Sequence, residues 1–266
     1  MGRLPPITSL TSLFFLPVVL TCVLSNREAK ADIELPLRIL FCNRADVHYG
    51  NLVNGGPDGF SDLRRELIRW DFEVVQLDEP AMTPSLLDSN EIVVLGSNAR
   101  SYSTQEVADF GDFISHGGRA LFLVGYGEDD DFFTSDNLLL SQFGITLGET
   151  TPWGQNNISV FSTHPITVGL TKVIALGLNP IASAGPGVQS LAFWNAETVL
   201  SALETGTGRI VVYSDWDTFS NISHGDFSLY TDSHLTLAQN IFEWLSSGVV
   251  PRKIVPSQVS DWVLYH

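Results

Sequence analysis

Residues 103–124, STQEVADFGDFISHGGRALFLV, decide the fold class. Ser103 followed three residues later by Glu106 fits a capping box. The serine hydroxyl accepts from the third helical amide, and the glutamate reaches back to the Ser103 amide. Val107, Phe110, Phe113 and Ile114 then recur at helical spacing and form one apolar stripe. Gly117-Gly118 ends the helix, since glycine takes the left-handed cap without steric cost. The next residues, Ala120-Leu121-Phe122-Leu123-Val124, are all apolar, which predicts a strand covered on both faces.

Outward from this stretch the same alternation recurs. Leu37–Cys42 reads as a first strand, Phe60–Trp70 as a helix with Leu63, Leu67 and Ile68 on one face, and Glu73–Leu77 and Glu91–Leu95 as further strands. A short helix over Asn137–Phe143 ends at Gly144. Short apolar runs alternating with amphipathic helices predict an α/β domain with a mainly parallel, doubly wound sheet. Between Thr150 and Asn195 the chain is rich in Gly, Pro, Asn and Ser, which predicts a strand-rich insertion in the second half rather than a second domain. Thr198–Leu203, the turn Gly206-Thr207-Gly208 and Arg209–Tyr213 predict a strand pair, and His234–Trp244 a closing helix. The tail ends in the apolar run Trp262-Val263-Leu264-Tyr265.

The first residues read as an export signal. Arg3 opens it, Leu13 to Leu24 is almost wholly apolar, and Ala29-Lys30-Ala31 has the small-x-small pattern of a cleavage site. About a dozen apolar residues fall short of the roughly 20 that span a bilayer. A lipidated Cys22 is the rival, disfavoured by Thr21 before it. The expected organisation is a signal peptide over 1–31 cleaved after Ala31, a domain over 32–250 and a tail over 251–266. The expected location is secreted, periplasmic or extracellular. Cleavage removes Arg3, Arg27, Glu28 and Lys30, moving the formal charge from −16 to −18. Such acidity excludes nucleic-acid binding, which needs a concentrated basic surface. No later segment is long and apolar enough for a transmembrane anchor. Cys42 closes a strand and reads as a buried thiol.

Five phrases follow one another along the chain. They are Gly125-Tyr126-Gly127 after the buried strand, Asp136–Ile145, His164-Pro165-Ile166-Thr167-Val168-Gly169-Leu170, Gly208–Asp217 and Asn240–Leu245. In this order they resemble an uncharacterised secreted family of class I glutamine-amidotransferase-like domains, over roughly Leu37 to Ser247. Similar domains occur in bacterial gliding and transport proteins and in an intraflagellar transport protein. The resemblance implies a flavodoxin-like sheet. Active relatives carry a cysteine on a strand-to-helix elbow, activated by a histidine that a carboxylate holds. Here Tyr126 stands at the nucleophile position, and a phenol of pKa near 10 does not replace a thiolate. Asp215-Trp216-Asp217 stands where the resemblance places His-x-Glu, so the triad is missing.

In open parallel sheets the functional crevice lies beyond the carboxyl ends of the strands. The candidate ligand-binding residues there are His48, Tyr49, Gly125, Tyr126, Gly127, Asp215, Trp216 and Asp217. The acidic run Glu128-Asp129-Asp130-Asp131 brings a metal reading, with Asp129, Asp215 and Asp217 as candidates and Asp232 converging on them. Hard cations need several oxygen ligands, and the spacing is not that of an EF-hand; helix caps and solvated loops are the competing reading. No cofactor is expected, with a divalent cation as the open alternative. His164, His224 and His234 show no ligand spacing and read as loop or cap residues. Tyr49, Tyr126, Trp153, Trp216 and Phe219 offer either a stacking platform or ordinary core. Asn157-Ile158-Ser159 and Asn221-Ile222-Ser223 are glycosylation sequons. The leading expectation is a non-catalytic binding domain whose ligand is a small molecule, a glycan or a protein. The alternative is a carboxylate- or metal-dependent hydrolase using Asp215 and Asp217.

Overall fold

In the computed structural model, residues 33–43, 51–78, 81–96, 101–124, 131–149, 154–222 and 227–254 are described. The first half of the chain forms β1 (Ile33–Glu34), β2 (Leu37–Asn43), α1 (Ser61–Arg69), β3 (Phe72–Asp78), α2 (Pro84–Asp88), β4 (Ile92–Gly96), α3 (Thr104–Ser115) and β5 (Arg119–Leu123). Then come α4 (Asp131–Leu140), β6 (Ile145–Leu147), β7 (Gln155–Ile158), β8 (Val160–Phe161), β9 (Val173–Leu176), β10 (Ile181–Ala184) and β11 (Gln189–Trp194). The last elements are β12 (Glu197–Thr205), β13 (Gly208–Tyr213), α5 (His234–Ser246) and β14 (Lys253–Ile254). Two units divide the chain, one of Met1–Ile33 with Ile254–His266 and one of Glu34–Lys253. The expected signal segment lies outside the described residues; the account below concerns Glu34–Lys253.

A large sheet has the order β3-β2-β4-β5-β13-β12-β10-β6, with β11 on β12 and β8 on β11. The five strands from β3 to β13 are parallel. Taken by chain position, these five run 2-1-3-4-5 across the sheet. From β12 outward every pairing is antiparallel. The change of direction is local: β12 and β13 pair through Thr205 opposite Gly208, with Gly206 at φ +60° in the two-residue turn between them. So tight a connection joins only antiparallel strands. The fold is thus mixed α/β: β6, β8 and β10 to β12 extend the sheet, while β7 and β9 pair with each other in a separate two-stranded sheet.

Alternate residues of the parallel strands enter two cores. Ile39, Phe41, Ile92, Val94, Leu121, Leu123, Val211 and Tyr213 pack on one face, with Leu63 and Leu67 of α1 and Leu237 and Ile241 of α5. Leu40, Cys42, Val93, Leu95, Ala120, Phe122, Ile210 and Val212 pack on the other, with Leu87 of α2, Phe110 and Ile114 of α3 and Leu139 of α4. Each leucine buried so completely contributes on the order of 2 kcal/mol. Cys42 is 1 % exposed, a buried strand-end side chain.

The Ser103 box forms as read: Ser103 Oγ accepts from the Glu106 amide, and Glu106 Oε2 accepts from the Ser103 amide at 2.9 Å. Gly117 takes φ +100°, and the Gly118 amide donates to Phe113 O at 2.9 Å. A Cβ at Gly118 would stand 2.5 Å from the Phe113 ring, so the glycine lets strand and helix meet. Two local readings change. Ile68 is 48 % exposed, and Glu66, 6 % exposed, takes the inner position, bonded by Arg69 at 2.8 Å and by the Tyr230 hydroxyl at 2.9 Å. Residue 66 lies on the same side as 63 and 67, whereas 68 is a quarter-turn beyond. The helix expected over 137–143 begins six residues earlier, at Asp131, and closes with a 3₁₀ turn over Ser141–Phe143 before Gly144 at φ +73°.

Candidate functional site

β13 ends at Tyr213, so Asp215-Trp216-Asp217 lies at the carboxyl end of the sheet, where the crevice was expected. The chain turns sharply there into a 3₁₀ segment, Asp217–Phe219. Asp215 makes that turn. Its Oδ1 accepts from the Asp217 amide at 3.2 Å, and its Oδ2 accepts from the Thr218 amide at 3.0 Å and lies 2.8 Å from the Thr218 hydroxyl. The same hydroxyl lies 2.9 Å from Ile174 O on β9 and 2.7 Å from the Tyr213 hydroxyl. Thr218 has one proton to give, so Tyr213 donates to it whenever it donates to Asp215 or Ile174. Burial pushes the Asp215 carboxyl up to about 7, against the pull of the Thr218 hydroxyl and the backbone amides. Burial also holds the Tyr213 phenol well above its ordinary value.

Asp217 is different. It is fully buried, and neither carboxyl oxygen has a hydrogen-bond partner. Burial first, then the charges of Asp215 and Asp58, raise it to about 9, so it carries a proton at neutral pH. Trp216 is 6 % exposed and packs on Phe60 with ring centroids 6.3 Å apart; Phe219 is 1 % exposed against Tyr213. Both aromatics fill core, and neither offers a stacking platform. Asp215, Trp216 and Asp217 follow β13 with their side chains buried. His48, Tyr49, Gly125, Tyr126, Gly127 and Asp129 lie outside the described residues.

Among the described residues no three His, Cys, Asp or Glu side chains group so as to hold a metal ion. Asp232, expected to converge on Asp215 and Asp217, instead pairs with Lys172 at 2.8 Å.

The residues that sequence reasoning missed are Asn221 and His234. Asn221 Oδ1 accepts from the Asp62 amide at 2.9 Å, while its Nδ2 donates to Asn54 O at 3.0 Å and Gly56 O at 2.9 Å. One amide thus ties the 3₁₀ segment to α1 and to the loop before it. The only local signal was its sequon. His234 is fully buried; Nδ1 lies 2.7 Å from Ser228 O, and Nε2 accepts from the Ile174 amide at 2.9 Å. That acceptor role fixes the neutral tautomer with its proton on Nδ1. Burial lowers the ring to about 4. His164 does act as a cap: its Nδ1 accepts from the Ile166 amide at 3.2 Å.

A family description fits part of the chain. The IFT52 GIFT domain matches residues 52–154. No curated protein matches the chain. Among solved structures, the mmIFT52 N-terminal domain is similar at a TM-score of 0.64 and 18 % identity, covering 80 % of this chain and all of that one. A cytoplasmic protein from Salmonella typhimurium LT2 follows at 0.57 and 16 % identity, over 79 % of this chain and 99 % of that one. A ThuA-like protein from Bacteroides uniformis stands at 0.52 and 13 % identity, over 81 % and 94 %. Identities this low speak for the fold alone.

These matches correct two expectations. The resemblance to a secreted family of class I glutamine-amidotransferase-like domains gives way to likeness with the IFT52 GIFT domain and with ThuA-like proteins. The expected secreted, periplasmic or extracellular location, with cleavage after Ala31, is overturned by the same match, since IFT52 is an intraflagellar transport component. Among the described residues no helix is long and apolar enough to cross a membrane.

Proposed function

We propose that the Glu34–Lys253 domain is a non-catalytic protein-interaction module of the GIFT type, on a flavodoxin-like and ThuA-like scaffold. The observation that carries this is the state of the two carboxylates that a hydrolase would need. Asp215 accepts hydrogen bonds within its own turn, and Asp217 is sealed from solvent and protonated at neutral pH. A general acid and base pair needs at least one ionised group within reach of a substrate. The match to the IFT52 GIFT domain over 52–154 supports the interaction reading, and the 2-1-3-4-5 strand order supports the scaffold. On this reading Asp215, Trp216, Asp217 and Asn221 shape the floor of the crevice, and any ligand there, small molecule, glycan or protein, meets other residues.

The test has two parts, both on the intact chain. Glutamine, ester and glycoside substrates are expected to show no turnover above background. Turnover that Asp217→Asn abolishes would falsify the proposal. Crosslinking with mass spectrometry in the native cell is expected to return a protein partner at fixed stoichiometry.

A further inference from the structure

Away from the crevice, two joined cavities open at the amino end of the sheet. The larger, of about 340 Å³, lies between α2 and α3 and is lined by Leu87, Asp88, Asp109, Asp112, Phe113 and His116. The smaller, of about 200 Å³, shares Asp88, Phe113 and His116 and continues to Asn90 and Arg119. Leu87 is fully buried and Phe113 is 8 % exposed, so the floor is apolar. Asp88 and Asp112 stand exposed and Asp109 half-buried at the rim.

Resting on the interaction reading above, we infer that this groove is a docking surface for an extended, arginine- or lysine-bearing segment of a partner protein. Charge is the first argument. Arg65 bridges Asp62, Lys172 bridges Asp232 and Arg209 bridges Glu204, but no basic side chain reaches Asp88, Asp109 or Asp112 among the described residues. Glu91, which also lines the smaller cavity, is already answered by Arg252 at 2.8 Å. Three uncompensated carboxylates around an apolar floor suit a long basic side chain, whose methylenes cover the floor while its head meets the acids.

The second argument is independent of charge clustering. Asn90 is 6 % exposed; its Nδ2 donates to Leu86 O at 2.7 Å, yet its Oδ1 has no partner. Arg119 is 7 % exposed; it donates to Gly117 O, yet its Nε has no partner. Asn90 and Arg119 line one cavity, and a small side-chain rotation that turns this acceptor and donor into it gives the complement of a peptide backbone, which offers one N–H and one C=O per residue. Burial, and then the charge of Arg209, lower the Arg119 pKa, so this end of the groove favours a carbonyl or carboxylate. The rim of the groove is therefore polarised along its length, acid between α2 and α3 and basic at β5. A second copy of this chain is a poor occupant, because its 30 acidic residues outnumber 14 basic ones.

The experiment is fluorescence anisotropy of the intact chain with labelled peptides that scan one arginine along an Ala/Ser background, and the same peptides with glutamine instead. The arginine series is expected to bind at least about tenfold tighter. The triple variant Asp88→Asn, Asp109→Asn, Asp112→Asn should lose that preference at unchanged Tm. Asn90→Leu should weaken both series together, since it removes a backbone contact. Equal binding by the triple variant would mean attraction to the net charge of the chain, and the docking surface falls. It falls too if spermine displaces the peptide as well as free arginine peptide does, or if no peptide binds. Partner crosslinks that map to the carboxyl end would remove the groove but keep the interaction module; enzymatic turnover with no partner would remove both.

Discussion

The two ends of the parallel strands handle charge in opposite ways. At the amino end, acids and bases alternate in partly exposed pairs: Arg38 with Glu73 at 3.0 Å, Arg252 with Glu91 at 2.8 Å, Arg209 with Glu204 at 2.9 Å. Arg209 also donates to the last carbonyls of α5, at Trp244 and Ser247, where a cation suits the helix terminus. At the carboxyl end, Asp215 and Asp217 are fully buried, and no basic side chain pairs with either among the described residues. The first set meets solvent and counter-charges. The second set is kept by hydrogen bonds and by protonation. The same residue type is thus replaceable at one end and structural at the other, and acidity of composition does not distinguish the two.

The sharpest way to break this contrast is Asp215→Ala. It strands the Asp217 and Thr218 amides in a dry site, while the Thr218 hydroxyl keeps Ile174 O, and each orphaned donor costs about 1–3 kcal/mol. A loss of about 4 kcal/mol is expected, seen as a fall in Tm on the order of 10 °C. A loss below about 1 kcal/mol would show that the turn does not depend on this carboxylate.

Next in size is the dependence on pH. His234 has a folded pKa of about 4 against 6.5 unfolded, so the unfolded chain binds its proton more tightly. Its contribution is complete above 6.5 and is lost as pH falls toward 4, worth roughly 3 kcal/mol across that window by linkage. Asp217 runs the other way: its folded pKa is raised to about 9 from 3.8, so stability declines as pH rises between these values. Above pH 6.5 the His234 contribution is complete, and the Asp217 contribution falls toward 9. Asp217→Asn removes a penalty of up to roughly 5 kcal/mol at pH 8 by linkage but leaves an unpaired amide buried in its place, so Tm at pH 8 should rise by a few degrees and the alkaline decline should flatten. Chemical denaturation from pH 5 to 9 reads both slopes; an unaltered alkaline limb in the variant refutes the assignment.

The smallest effect is expected at the other end. Arg38→Gln breaks a pair whose side chains are 31 % and 42 % exposed. Exposed pairs are worth about 0–1 kcal/mol, so a change within about 0.5 kcal/mol is predicted, and less in high salt.

How much of this was legible depends on where each partner lies in sequence. The Ser103 box and the Gly117-Gly118 stop involve residues within a few positions of each other, and both form as the local chemistry dictates. Inner and outer positions of α1 were less secure, because Glu66 gains its place from Tyr230, far along the chain. The place of Asp215 and Asp217 at the carboxyl end of a strand was legible. Their roles were not, since burial comes from the whole fold and not from neighbours in sequence. His234 looked like a helix cap for the same reason; its ring bonds β9, sixty residues earlier.

Asn221 gives the domain a folding order. Its partners at Asp62, Asn54 and Gly56 stand some 160 positions earlier, so its hydrogen bonds wait until the first and last thirds of the chain have met. Closing so long a loop costs entropy before any bond returns it. The sheet strands β2 to β5 lie near one another in sequence and have no such wait. The Asn221 bonds then belong with the long-range closures of the fold, as does the pairing of β13 on β5.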